Sequence, residues 1–535
     1  MKRLFILTAA VIAVVTIAVL GLRQATPPTT LRIVAGSENQ ALEPLVQGWA
    51  ADNNVTVEMS YLGSVDISRA LAAGKDSDYD AVWPAHSLWI ELGDTQKVVA
   101  HATSILRSPV VLGVKTSLAK KLGWVGRDDI TVQMIEEAAR SGAFRLSMTS
   151  ATQSNSGASA YIGFLYALAG NPDVLTMENL AEPKLQEDMR GLLSTVDRSS
   201  GSSGWLKDSL VANPGAFDAM INYESVVIEA NQALVAKGLE PLYIVYPANG
   251  MSVADSPLAL INKGDAARET AFLALQQFLL SPETQGKLSA LGRRTGLIGV
   301  SDAGADPAVW NPAWGIDLTR DIAPVPVPSS AVIAEALTLY QSELRKPSLT
   351  IWVLDVSGSM EGEPLAQLKQ AMTLLLDPSV AAVSLLQPSR RDVTIILPFN
   401  HAPLPPTIVT GGDPAEMAAA LTRINGLQAE GGTDLYAAIG TAVDLLQPYA
   451  TDGTLFDHLP AIVAMTDGQS EVINREWMQA RIDGSGFARD IPIHSIAFGA
   501  ADEEQLKALS QASIGRLFKA GNDIAAALRG AKGYN

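Results

Sequence analysis

The sequence predicts an α/β protein made of two modules behind an apolar N-terminal segment. Three observations carry that expectation. Short apolar strands alternate with helical patterns over residues 31–321, and a cleaner alternation of all-apolar strands and amphipathic helices begins at Ser348. Between them lies IAPVPVPSS, residues 322–330, whose prolines favour extended backbone. A chain of 535 residues is also too long for one hydrophobic core.

The N-terminus opens with Lys2 and Arg3, followed by an uncharged stretch over residues 4–22. As a helix rising about 1.5 Å per residue it spans about 28 Å, close to the ~30 Å hydrocarbon core of a bilayer. Val19 and Gly21 make a poor cleavage site. Residues 1–30 therefore read as an uncleaved anchor and spacer in the cytoplasmic membrane, with a removed signal peptide as the alternative. Lys2 and Arg3 hold the N-terminus inside and leave the bulk in the periplasm or at the cell surface.

In the first module the strand candidates are 31–35, 55–61, 79–83, 108–114, 144–148, 216–222, 242–246 and 256–262. Their rhythm predicts parallel sheets with helices packed outside, and in such sheets ligands sit beyond the carboxyl ends of the strands. Those ends are small and polar: Gly36-Ser37-Glu38, Gly63-Ser64, and TSATQSNSGASAYIGFLYALAG over residues 149–170. The last feeds a helix from about Gly157 whose N-terminus suits an anion, although Ser154, Asn155 and Ser156 also read as plain N-caps. With GSEN at 36–39, YDAVWPAHSLW at 79–89 and GRRTGLIG at 292–299, residues 31–321 resemble bacterial extracellular solute-binding proteins. The resemblance implies a two-lobed, periplasmic-binding-protein-like domain that closes on a small solute, with Ser37, Ser64, Thr152, Asn155 and Tyr223 lining the cleft. Glu224 and Arg293 are candidate charged partners of the solute, and Trp83, Trp89, Trp310 and Trp314 candidate stacking surfaces.

Residues 322–346 read as a Pro-rich linker and connecting helix. The second module, 347–535, has strand candidates at 349–355, 393–399, 461–466 and 491–498 between helical stretches at about 363–376, 414–424, 434–447 and 503–512. Apolar strands between amphipathic helices predict a doubly wound sheet buried on both faces. Three loops then offer oxygen alone: Asp355-Val-Ser357-Gly-Ser359, Gly431-Gly432-Thr433-Asp434, and Thr466-Asp467-Gly468. Such a set selects a hard cation, Mg²⁺ first, with Mn²⁺ or Ca²⁺ as rivals. The D-x-S-x-S … T … D set resembles the metal-ion-dependent adhesion site of von Willebrand factor type A domains at Asp355, Ser357, Ser359, Thr433 and Asp467. The resemblance implies direct bonds from Ser357 and Ser359, Thr433 directly or through water, and the two carboxylates acting largely through water. It also implies an open position completed by an acidic residue of a protein partner.

Other classes are disfavoured. A net charge of −17 leaves no basic surplus for a nucleic-acid partner, and the absence of cysteine removes disulfides, thiolate metal sites and thiol nucleophiles. No base stands next to Ser357 or Ser359, and neither G-x-S-x-G nor a phosphate-binding loop occurs. Of the five histidines, His494 sits within an apolar strand and His401 in the surface loop HAPLPP. The expectation is a non-catalytic, extracytoplasmic binding protein in which a solute-binding-like module is joined to an adhesion-type domain. The alternative is the receptor of an ABC-type importer for an oxyanion or small polar solute, with the second module as a docking accessory.

Overall fold

The computed structural model describes residues 28–295, 305–320, 322–383, 385–467, 470–499, 501–511, 513–520 and 524–533. The anchor expected at residues 4–22 and the end of the 292–299 motif lie outside these. Among the described residues no helix is long and apolar enough to cross a membrane.

The first module runs through β1 (Thr29–Gly36), β2 (Val55–Leu62), β3 (Ala81–Trp83), β4 (Val99–Ser104), β5 (Ser108–Lys115), β6 (Leu146–Thr149), β7 (Val196–Ser200), β8 (Ala219–Tyr223), β9 (Leu242–Val245), β10 (Val253–Ala254) and β11 (Pro257–Ile261). They form two sheets, one per lobe. The first has the order β2-β1-β3-β11-β4, the second β10-β5-β8-β6-β7 with β9 beside β5. The chain passes from lobe to lobe between β4 and β5 and again between β10 and β11, which gives two adjacent crossings.

Parallel pairing expected throughout holds only in part. β1 runs parallel to β2 and β3, and β6 to β7 and β8. β11 is antiparallel to β3 and β4, and β5 to β8 and β9. The reason is topological: β5 and β11 each enter a lobe from the other one rather than through a helix on the same sheet, so they need not share its strand direction.

The second module has β12 (Ser348–Asp355), β13 (Val393–Phe399), β14 (Thr407–Thr410), β15 (Leu459–Thr466), β16 (Ile493–Ala497) and β17 (Leu517–Lys519), in the order β14-β13-β12-β15-β16-β17. All pairs are parallel except the edge strand β14. Every residue of β12 is buried. Its side chains alternate as a two-residue period requires. Leu349, Ile351 and Val353 pack with helix Leu435–Thr451, while Trp352 and Leu354 pack with helices Glu363–Leu376 and Ile524–Gly533. The chain leaves β12 toward β13 on one side and returns to β15 on the other. That reversal opens a crevice at the carboxyl ends of β12 and β15, the place where such sheets present ligand groups.

The connecting segment is less free than a linker. Helix Ser330–Leu339 and the wide turn Tyr340–Leu344 place Val332, Ile333, Ala336, Leu337, Tyr340 and Leu344 in the core of the second lobe. Tyr161 Oη donates to the Ala336 carbonyl at 2.9 Å, and its ring meets Tyr340 edge-on with centroids 5.2 Å apart.

Candidate functional site

Register brings the oxygen-bearing loops together. Leu354 of β12 pairs with Met465 of β15, so Asp355 ends its strand beside Thr466 and Asp467 follows at once. Ser357 N–H donates to Asp355 Oδ1 at 2.8 Å, and Thr466 Oγ1 donates to Asp355 Oδ2. Ser357 and Ser359 hydroxyls lie 3.1 Å apart, and Ser359 Oγ donates to Asp467 Oδ1 at 2.9 Å. The Thr433 loop lies against this pair of loops: Gly358 N–H donates to the Gly431 carbonyl at 3.0 Å, and Glu430 N–H to the Val356 carbonyl at 2.9 Å. The Thr433 carbonyl in turn accepts from Glu471 N–H at 3.0 Å, which ties the second loop to the third. Gly431 adopts φ +80°, a conformation that a side chain disfavours, and a Cβ there would lie 3.0 Å from His401 Nδ1.

The cluster is graded in depth. Asp355 and Ser357 are fully buried, Asp467 and Thr433 half-buried, and Ser359 exposed. Burial pushes the Asp355 carboxyl above its ordinary range, and the nearby charge of Asp467 adds to that, against hydrogen bonds from Ser357 and Thr466. Among the described residues its hydrogen-bond donors are the Ser357 amide and the Thr466 hydroxyl. Among the described residues no three His, Cys, Asp or Glu side chains gather as a metal cluster; the set here consists of two carboxylates and three hydroxyls. Sequence reasoning missed Thr466 as a partner of Asp355, and it missed Glu471, whose Oε1 would lie 3.3 Å from a Cβ on Gly432. Position in the quoted third loop was the available signal for Thr466.

In the first module the lobes touch. Ser202 Oγ donates to Ser37 Oγ at 2.9 Å, and Gly204 N–H to the same oxygen at 3.3 Å. Trp89 Nε1 donates to Asn155 Oδ1 at 2.7 Å, and Asn155 Nδ2 to Tyr223 Oη at 3.0 Å. Burial, helped by the charge of Glu38, keeps the Tyr223 hydroxyl protonated far above its usual range. The five predicted cleft residues do not form one group. Ser37, Asn155 and Tyr223 bond at the contact between lobes, Ser64 Oγ accepts from Ala85 N–H at 3.3 Å within its own lobe, and Thr152 Oγ1 turns to the Gln341 side chain at 3.3 Å. Ser202 was missed because β7, VDRSS, which leads into it, lacks an apolar pattern.

Glu224 and Arg293 are engaged within the protein. Glu224 makes a two-point pair with Arg294 at 2.7 and 2.8 Å, and Arg293 pairs with Glu229 while donating to the Glu38 carbonyl at 2.9 Å. The four tryptophans are buried; Trp83 Nε1 bonds Ser256, and Trp310 Nε1 the Ser289 carbonyl. A separate cavity of about 800 Å³ lies on the hinge side, lined by His86, Arg107, Asp255, Arg294 and the strap through Pro324.

Residues 31–294 match the family model described as bacterial extracellular solute-binding protein, and residues 350–469 match the von Willebrand factor type A domain. The chain joins a solute-binding-like module to a von Willebrand factor type A domain. No curated protein matches it. Among solved structures, the sulfate-binding protein SubI from Mycobacterium tuberculosis is 18% identical at a TM-score of 0.38, over 57% of this chain and 96% of that one. The ferric binding protein from Campylobacter jejuni is 13% identical at 0.42, over 58% and 98%. A von Willebrand factor type A protein from Catenulispora acidiphila is 15% identical at 0.29, over 35% and 42%. Likenesses this remote do not bear on what either module binds.

Proposed function

We propose that this chain is a non-catalytic, extracytoplasmic binding protein whose von Willebrand factor type A domain captures a protein partner through a divalent cation. The observation that supports it most is the hydrogen-bonded line Ser357–Ser359–Asp467 at the carboxyl ends of β12 and β15, with Asp355 beneath it and the Thr433 loop alongside. All donors in that line are oxygen, which suits Mg²⁺, or Mn²⁺ or Ca²⁺, and the mutual repulsion of Asp355 and Asp467 would be relieved by one cation. Ser357, Ser359 and Thr433 would hold it, with Asp355 and Asp467 orienting its waters. The ion would supply attraction for a carboxylate of the partner. Val472 and Ile473, 65% and 77% exposed, stand next to Glu471, whose N–H bonds the Thr433 carbonyl, and would offer an apolar rim to a protein surface.

The test is capture of envelope proteins by the purified chain with Mg²⁺, with a chelator, and with Asp355→Ala. Capture should require both the ion and Asp355, and Ile473→Asp should weaken it at least tenfold. Capture that survives chelation and Asp355→Ala overturns the reading.

The first module is read as a receptor for a small polar solute, supported by its family match and by the polar groups that meet between its lobes. The importer-receptor alternative rests on the same module. A solute should stabilise the folded chain by about RT ln(1 + [L]/Kd), or about 2.7 kcal/mol at a hundredfold excess over Kd, and so raise its melting temperature.

A further inference from the structure

We propose that the C-terminal helix Ile524–Gly533 of the second module is a clasp that holds the two lobes of the first module together, so that undocking of the second module controls access to the cleft. The inference stands on contacts to both lobes, and it holds whatever the cleft binds.

The two lobes offer the helix adjacent handles. Asp66 lies in the first turn of helix Ser64–Ala72 of the first lobe, two residues after the predicted cleft residue Ser64. Gln153 lies in the Ser/Thr-rich loop after β6 of the second lobe. These handles meet where the lobes themselves abut, since a Cβ on Gly63 would lie only 2.1 Å from the Gln153 carbonyl oxygen.

One residue of the helix grips both. Arg529 Nε stands 2.7 Å from Asp66 Oδ1, with side chains only 10% and 17% exposed, and the Arg529 carbonyl accepts from the Gln153 amide. At the end of the helix, Gly533 packs so closely on Gln153 that a Cβ would fall 2.1 Å from its Nε2. A hinge motion that parts Asp66 from Gln153 must therefore break the ion pair or the hydrogen bond from the Gln153 amide to the Arg529 carbonyl.

The helix itself is firmly based. Ala527, Leu528 and Ala531 are buried in the second module's core, and Lys532 Nζ donates to the Leu386 carbonyl. The second module is also moored to the second lobe elsewhere, through Arg198 Nη1 to the Asp490 carbonyl at 2.6 Å and Gln341 Nε2 to the Gln387 carbonyl at 2.9 Å. With that side fixed, Asp66 is the handle by which the first lobe is held.

Because the chain lacks cysteine, Lys75→Cys and Lys237→Cys, both exposed and on different lobes, place one spin label on each lobe without further change. Pulsed electron resonance then reads the distance between lobes in the full chain. A single short distance is expected in the parent, and a shift of most of the population to longer distances with Asp66→Ala or with Arg529→Ala. The exchange Asp66→Arg with Arg529→Asp should restore the short distance, which a merely destabilising change would not do. Lobe distances that stay unchanged in Asp66→Ala and Arg529→Ala chains that are folded by circular dichroism overturn the clasp.

Discussion

Glu38 shows how much one side chain can record about closure. It follows β1 as part of the short helix Ser37–Leu42, and the residue is half-buried. Its Oε1 is nevertheless shielded from solvent, with no hydrogen-bond partner among the described residues. Desolvation is the main cause that raises its pKa from 4.5 to about 7; Arg293 opposes the shift and Glu229 adds to it. The folded chain thus keeps a proton that the unfolded chain releases between pH 4.5 and 7, so stability falls as pH rises through that window. Denaturant unfolding at pH 5 and pH 7.5 should show a loss of at most about 3 kcal/mol, absent from Glu38→Gln; equal losses in both chains would refute it. The sequence held no sign of this, because GSEN looks like any small polar loop until the second lobe covers it. Asp355, Ser357 and Ser359 were legible for the opposite reason. Their spacing is local, and an apolar strand that ends in a carboxylate is conspicuous against its own pattern.

Among the elements, legibility followed burial on both faces. β12, β13, β15 and β16 are mostly apolar and buried along all or nearly all of their length, and the expected strands coincide with them to within two residues at each end. Short or polar strands such as β4, β7, β14 and β17 carry no such signature and emerge only from their pairing partners. The helix Asn155–Leu168 was anticipated from about Gly157, and the structure shows what that glycine is for. It sits where the helix lies flush on β6, and a Cβ would fall 2.0 Å from the Thr149 carbonyl oxygen, an atom that cannot swing aside. Thr149 Oγ1 also accepts from Gly157 N–H at 2.7 Å, which locks the helix start to the strand end. Gly157→Ala should therefore cost about 1–3 kcal/mol despite alanine's better helix propensity. Thermal unfolding checks this, and an unchanged or higher melting temperature would show that the helix can shift without penalty.

For the whole molecule, the arrangement of the two modules was the part that sequence patterns could not convey. A proline-rich stretch normally reads as a spacer, and nothing in ALTLYQSEL announces that Leu337, Tyr340 and Leu344 complete the core of a lobe whose own strands ended some eighty residues earlier. Such a contact is non-local, and periodicity records only which face of a helix is apolar, not what covers it. Its consequence concerns where the first module ends as a folding unit. A chain stopped after residue 321 would leave Tyr161 Oη without the Ala336 carbonyl and would expose the apolar surface now covered by Val332, Ile333, Leu337, Tyr340 and Leu344. Each buried side chain of this kind contributes about 1.5–3 kcal/mol, so the loss approaches the whole stability of an ordinary domain. Residues 28–346 should unfold cooperatively near the temperature of the first module in the full chain, whereas residues 28–321 should melt well below it or fail to fold. If the shorter chain is as stable as the longer one, the helix Ser330–Leu339 only rests on the lobe, and the second module is tethered by a linker rather than built onto the first.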